Sequence, residues 1–347
     1  MFDSLRLTDA FSDLVSTSHR LGTDPLQVQG PGGNTSLKSG DAMWIKASGT
    51  WLAEAGARDI WVPCNVGVLR RALQAGAAEQ PGMAEVVPAD ANPLGLRPSI
   101  ETAVHAALDW PVVLHTHCVA TIALAICADG AERLSAALPR TAFAVVPYVK
   151  PGWDLARAIR AAVTPETQVV VLGNHGLVVC GETPETAKAR LRDVSAALQP
   201  SVVRTPTEAT PGLGVRLDGT GWVPAPEAIT HAVARDPVRL EMATGSTLYP
   251  DHLIFLGPGC RTVPPGATPA EVTADGRPCK ILLFPGEGVA IPIDATPSDL
   301  ALARCLGDVL ARVPEDAALI RLTPDDEASL LDWDAEKYRQ SLNKAAS

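Results

Sequence analysis

The strongest constraint in this chain is an apolar, β-branched run that ends in two histidines: Pro111-Val112-Val113-Leu114-His115-Thr116-His117. Such a run reads as a buried strand. Side chains alternate faces along a strand, so His115 and His117 point the same way. A third histidine, His175, sits in Gly173-Asn174-His175-Gly176, between the apolar runs 169–172 and 177–180. That pattern predicts a hairpin with the histidine at its turn. Two imidazoles from one strand and a third from a tight turn suit a catalytic metal centre, which has three protein ligands and an open position. Taken alone, a His-x-His pair is more often structural than metal-binding. Its surroundings make the difference here.

Upstream, Gly30-Pro31-Gly32-Gly33-Asn34-Thr35-Ser36-Leu37-Lys38 reads as a glycine-rich turn. Its backbone N–H groups can form an anion-binding nest, and Asn34, Thr35, Ser36 and Lys38 add donors. A turn with no ligand fits the same composition equally well. Ala47-Ser48-Gly49-Thr50 is a second small-residue turn. The segment 76–97, rich in proline and glycine, delivers Pro98-Ser99-Ile100-Glu101 to the start of a helix running through Leu108, with Ser99 as its cap and Glu101 in its first turn. His105 lies one turn beyond Glu101 on the same face; it can support the glutamate from behind, but packing is the simpler reading.

The rest of the pattern alternates helix and strand. Helices are expected over 3–21, 68–75, 119–127, 153–163 and 183–198, and strands over 43–46, 60–63 and 141–149. Residues 1–200 form one domain on this reading. The texture changes at Pro200, and 201–225 reads as a linker or extended arm rich in Pro, Thr and Gly. The extension over 226–347 carries a helix at 226–235, a hairpin around 280–293, a helix from Thr296 to about 313, and a last helix with Leu330, Leu331, Trp333 and Tyr338. An independent binding module over 201–347 is a further reading of that half.

Composition excludes some functions. Of 347 residues, 46% are hydrophobic, enough for a sizeable core. The net charge is −10, and no Lys/Arg cluster stands out, which argues against a nucleic-acid partner. The N-terminus lacks a signal-peptide pattern, and no apolar run reaches the ~20 residues of a membrane span. Seven dispersed cysteines with no Cys-x-x-Cys fit a reduced, cytoplasmic protein. Cys118, beside the histidines, is a packing residue before it is a nucleophile.

Four blocks agree in type and order with one family: Gly33-Asn34-Thr35-Ser36, Ala47-Ser48-Gly49, Pro98-Ser99-Ile100-Glu101 with His115-Thr116-His117, and Asn174-His175-Gly176. Over roughly residues 10–200 the chain resembles the class II aldolase/adducin family. Gly32 to Ser36, Pro98 to Thr102, Tyr148-Val149-Lys150-Pro151-Gly152-Trp153 and Tyr249-Pro250-Asp251-His252 are similar to the aldolase portion of bifunctional rhamnulose-1-phosphate aldolase/lactaldehyde dehydrogenases. No dehydrogenase domain follows, so a stand-alone aldolase-like unit is expected.

The resemblance implies an α/β fold of three αβα layers around a mixed, mostly antiparallel sheet, with a C-terminal α+β extension. It implies one divalent ion per chain on His115, His117 and His175, zinc first, with manganese, cobalt or iron as alternatives. Glu101 would be the general acid/base. Gly33, Asn34, Thr35, Ser36, Ser48, Gly49 and Ser99 would line the substrate, with Lys38, Tyr148, Tyr249 and His252 as further candidates. The implied activity is a carbon–carbon lyase acting through a metal-stabilised enediolate of a sugar-like or hydroxy-ketone substrate, phosphorylated or not. Epimerase, dehydratase and decarboxylase chemistry can share such a site, and a non-catalytic adducin-like protein would show a degraded ligand set. A small-molecule substrate and a homo-oligomer, tetramer or dimer, complete the expectation. Two departures stand out. Ile100 stands where sugar-phosphate aldolases of the family often carry a second Ser, which speaks against a phosphorylated substrate. The segment 141–143 holds no match for the family's acid tyrosine.

Overall fold

A computed structural model of the chain describes residues 1–334 and 337. The chain divides into two compact units, one of residues 1–121 with 135–198, the other of 122–134 with the chain from Gln199 onward. Tyr338, expected in the last helix, lies outside the described residues.

The first unit is a seven-stranded sheet in the order β3-β2-β1-β4-β7-β6-β5. The strands are β1 (Asn34–Ser39), β2 (Ala42–Lys46), β3 (Trp61–Asn65), β4 (Val112–Thr116), β5 (Phe143–Val146), β6 (Val169–Leu172) and β7 (Gly176–Gly181). Every pairing is antiparallel except β5 with β6, so the sheet is mixed and mostly antiparallel. The helices Val66–Gln74, Thr102–Ala107 and Trp153–Ala162 cover one face, and Asp9–Gly22 and Pro184–Ala197 cover the other. The result is the expected three-layer αβα arrangement.

Register assigns the faces. Asn34 pairs with His115, Ser36 with Val113 and with Ile45, and Val178 with His115. Cross-strand partners point to the same side, so Asn34, Ser36, Lys38, Ile45, Val113, His115, Val178 and Cys180 share one face. The apolar members of this set join Val104, Leu108, Leu155 and Ile159 of the covering helices in one core cluster. The histidine therefore leaves the sheet at the edge of a dry core.

Several boundaries differ from the sequence reading. The glycine-rich turn ends at Gly33, and Asn34 onward is strand β1, beside the central strand β4. The single helix expected over 3–21 is two, Phe2–Arg6 and Asp9–Gly22. Thr8 breaks it by accepting the Phe11 N–H on its side chain as a cap. The helix after Pro98 starts at Thr102. Ser99 Oγ accepts the Glu101 N–H at 3.2 Å, and Ser99 O accepts both the N–H and the hydroxyl of Thr102. Ser99 thus closes the turn before the helix, and Glu101 holds the cap position.

The second unit holds a four-stranded sheet, β8-β11-β10-β9, built from Trp222–Pro224, Arg261–Thr262, Leu282–Phe284 and Gly288–Pro292. A small core of Leu213, Leu217, Val263, Leu282, Phe284 and Ala290 backs it. The helix Pro297–Leu310, capped by Thr296, packs on Ala228–Arg235. Gly307 permits this contact, because a Cβ there would lie 2.5 Å from Ile229 O. Within 201–225, the helix Pro211–Leu217 and strand β8 belong to this unit. Among the described residues no helix is long and apolar enough to cross a membrane.

Candidate metal centre

His115 is the last but one residue of β4, and His117 lies just past its end. Three imidazoles converge here: the ring centroids of His115, His117 and His175 lie 5.1, 5.0 and 5.2 Å apart, a nearly equilateral triangle. Their ligand nitrogens all lie within 4.8 Å of one another, and all three residues are buried. The turn that carries His175 depends on Asn174, whose φ of +52° is the sole positive value at a non-glycine among the described residues. The His175 N–H closes the turn on Leu172 O at 3.1 Å. A left-handed third position favours Gly or Asn.

Backbone carbonyls orient the rings. His115 Nδ1 donates to Leu177 O at 3.1 Å, so Nε2 is the nitrogen that faces inward. Gln29 Nε2 donates to His117 O at 3.4 Å and to Pro25 O at 2.6 Å, tying the end of β4 to the loop before the glycines. Gly176 lets β7 approach β4 closely, since a Cβ there would lie 2.5 Å from Thr116 O. Gly33, at φ +59°, likewise sits against His115 O.

Glu101 lies against the triad. Its Oε2 is 3.2 Å from His115 Nε2, and its Oε1 is 3.5 Å from His175 Nε2. The residue is 5% exposed. Asn34 Nδ2 donates to Oε2 at 2.8 Å, whereas Oε1 is buried with no hydrogen bond among the described residues. Burial pushes the carboxyl up, but the three imidazoles and the Asn34 bond outweigh it and hold the pKa at about 2. Three imidazole nitrogens with one carboxylate alongside are a donor set that a divalent first-row ion accepts.

The remaining candidates divide by place. Ser99 and Ser48 are neighbours, because the Ser99 N–H donates to Lys46 O and the Ser48 N–H to Arg97 O, stitching the two turns together. Gly49 follows at φ +75°. Tyr148, half-buried, follows β5, and its backbone N packs on Gly173 at the base of the His175 turn. Thr35 points to the opposite face, where its hydroxyl lies 2.7 Å from Ser18 Oγ. Lys38 is buried, with Nζ on the carbonyls of His105 and Leu108 at the end of the Thr102–Ala107 helix. Tyr249 and His252 belong to the second unit. Their rings pack 5.7 Å apart, Tyr249 OH donates to Cys305 Sγ, and His252 Nε2 lies 3.7 Å from Cys260 Sγ. Burial lowers the His252 pKa to about 4 and raises that of Tyr249. Cys118 is buried against Ser195 at 3.6 Å, in keeping with a packing role.

Two residues do more than the sequence reading favoured. Lys46 is buried, and its Nζ donates to Pro31 O at 2.8 Å and Gly33 O at 2.9 Å, pinning the glycine-rich turn. His105, read as packing, joins a polar chain instead: Nε2 lies 2.5 Å from Asn34 Oδ1, and Nδ1 lies 2.6 Å from Ser36 Oγ. The four-residue spacing from Glu101 was the signal.

Residues 12–200 match the family described as Class II Aldolase and Adducin N-terminal domain. A Bacillus subtilis (strain 168) protein called "Uncharacterized oxidoreductase YuxG" is 32% identical over 193 residues, covering 52% of this chain. The chain spans 28% of that relative's length. Among solved structures, the N-terminal class II aldolase domain of a conserved Thermoplasma acidophilum protein is similar at 24% identity and a TM-score of 0.48, over 55% of this chain and 92% of that one. The L-fuculose-1-phosphate aldolase of Thermus thermophilus is similar at 15% identity and a TM-score of 0.38, over 55% and 90%. The family match covers more than half of the sequence, and the chain belongs to the class II aldolase and adducin family.

Proposed function

We propose that this protein is a divalent-metal-dependent carbon–carbon lyase of the aldolase type, acting on a sugar-like or hydroxy-ketone substrate through an enediolate. The observation that carries the reading is Glu101, a buried carboxylate set against the converging imidazoles, with one oxygen held by Asn34 and the other facing His175 without a hydrogen bond. An adducin-like, non-catalytic role has no use for that arrangement. A divalent ion on His115, His117 and His175, zinc before manganese, cobalt or iron, would supply Lewis acidity toward the carbonyl and hydroxyl oxygens of an α-hydroxyketone.

The chain's own groups carry the protons. Asn34 fixes Glu101 Oε2, which leaves Oε1 to give a proton to the enediolate carbon in cleavage, or to take it in the reverse direction. The second proton, on the hydroxyl beside the breaking bond, needs another carrier. We assign it to Tyr148, whose backbone N packs on Gly173 at the base of the His175 turn. Ser48, Gly49 and Ser99 would line the distal end of the substrate. Ile100 offers no donor there, which favours an unphosphorylated ligand. Assembly as a homo-tetramer or dimer in the cytoplasm belongs to the same reading.

The test is exchange of dihydroxyacetone and dihydroxyacetone phosphate protons with deuterated solvent, followed by proton NMR. The metal-loaded protein should exchange one carbon-bound position, and E101Q should lose exchange by ~100-fold or more while keeping its metal. Exchange by E101Q at the wild-type rate would remove the acid/base assignment.

A further inference from the structure

Asn34, Ser36 and Lys38 lie on one face of β1, against the Thr102–Ala107 helix. Their polar groups meet His105, a fully buried histidine that no step of the proposed reaction uses. The hydrogen bonds there can run in one direction only. The Glu101 carboxylate accepts, so Asn34 presents its NH2 to it. The Asn34 carbonyl therefore faces His105 Nε2, which must carry a proton to bond it. A neutral imidazole with a proton on Nε2 has a bare Nδ1, so Nδ1 accepts from the Ser36 hydroxyl. Burial, helped by Lys38 nearby, lowers the His105 pKa well below its usual range and keeps the ring neutral.

We propose that His105, as the Nε2–H tautomer, is a positioning residue: with Ser36 behind it, it fixes which end of the Asn34 amide faces Glu101, and so which carboxylate oxygen moves the proton. The proposal rests on the lyase reading. It also reassigns Asn34 and Ser36. Their side chains orient the proton carrier, and substrate contacts fall to the turns around Ser48 and Ser99. An amide turned over would put Oδ1 against Glu101 Oε2, two acceptors 2.8 Å apart, and would push the carboxylate out of place.

Three substitutions separate this role from packing. Gln at position 105 keeps a donor where Nε2 stands, Asn keeps a polar group only near Nδ1, and Phe keeps the ring volume. The expected result is that H105F and H105N each lower dihydroxyacetone proton exchange by ~10–100-fold at unchanged KM, that H105Q recovers to within a few-fold of wild type, and that all three hold one zinc per chain. A packing role would rank H105F highest, and that ranking overturns the proposal, as does equal activity of H105N and H105Q. An independent readout needs no substrate. Nitrogen-15 NMR of histidine-labelled protein, assigned by difference from H105Q, should show His105 protonated at Nε2 and bare at Nδ1. The opposite tautomer or an imidazolium overturns the proposal even if every variant is active. If wild-type protein exchanges nothing, the lyase reading fails, and the tautomer decides the geometry of the chain on its own.

Discussion

Gly176→Ala tests how closely the two strands that carry the histidines must approach. An added Cβ would lie 2.5 Å from Thr116 O and 3.4 Å from both His115 Cε1 and His117 Cα. Ordinary contact begins near 3.4 Å, so the shortfall against the carbonyl is about 0.9 Å (3.4 − 2.5). The carbonyl is backbone and cannot rotate away. β4 and β7 must part at the point where His115 and His117 leave one strand and His175 enters the other. Metal–ligand bonds tolerate only about ±0.2 Å, so the triad cannot absorb the shift. The expected cost is ~1–3 kcal/mol of stability from overpacking, and zinc affinity weaker by ~10–100-fold. The assays are competition with a chromophoric chelator and urea unfolding of the metal-free protein. Gly56→Ala is the control: Gly56 is exposed, a Cβ there meets nothing within 4 Å, and neither quantity should change. Wild-type zinc affinity in the Gly176 variant would refute the claim that the triad is held by strand spacing.

Lys38 gives a pH signature. Burial lowers its pKa from 10.5 to about 7. Between those values the unfolded chain binds a proton that the folded chain does not, so stability should rise with pH there, by about 1.4 kcal/mol per unit at most. The cost of burying the charge is full below about pH 7. K38M should flatten that segment of the stability curve, and an unchanged slope would show that Lys38 titrates normally. The buried hydroxyl pair on the opposite face gives an asymmetric prediction. Ser18 spends its proton on Leu14 O at 2.7 Å, so Thr35 must be the donor to Ser18. S18A strands that donor and should cost ~1–3 kcal/mol, whereas T35V removes it and should cost under ~1 kcal/mol. The reverse order in urea unfolding would contradict the assignment. T35V should also keep proton exchange, because Thr35 faces away from the triad.

The triad was legible because two rules suffice for it: alternation puts His115 and His117 on one side of a strand, and Gly-Asn between two valine-rich runs marks a turn. β1 was not, although it lies inside the sheet beside the central strand. Asn34, Thr35 and Ser36 carry no apolar alternation, and the groups that let them be buried, Glu101, Ser18 and His105, come from 17 to 71 residues away. Lys38 misled for a related reason. A lysine beside a glycine-rich turn looks like an anion ligand, whereas the Lys38 amine is buried on the backbone carbonyls of His105 and Leu108. Tyr249 and His252 look catalytic by residue type, but each is enclosed among Cys305, Cys260 and their own helix.

The most direct measurement is elemental analysis of the purified protein beside the double variant H115A/H117A. The account expects about one divalent ion per chain in the wild type and none in the variant, with far-UV circular dichroism unchanged. A wild-type protein without stoichiometric metal, or a variant that keeps the full complement, would contradict the metal centre on which the functional reading stands.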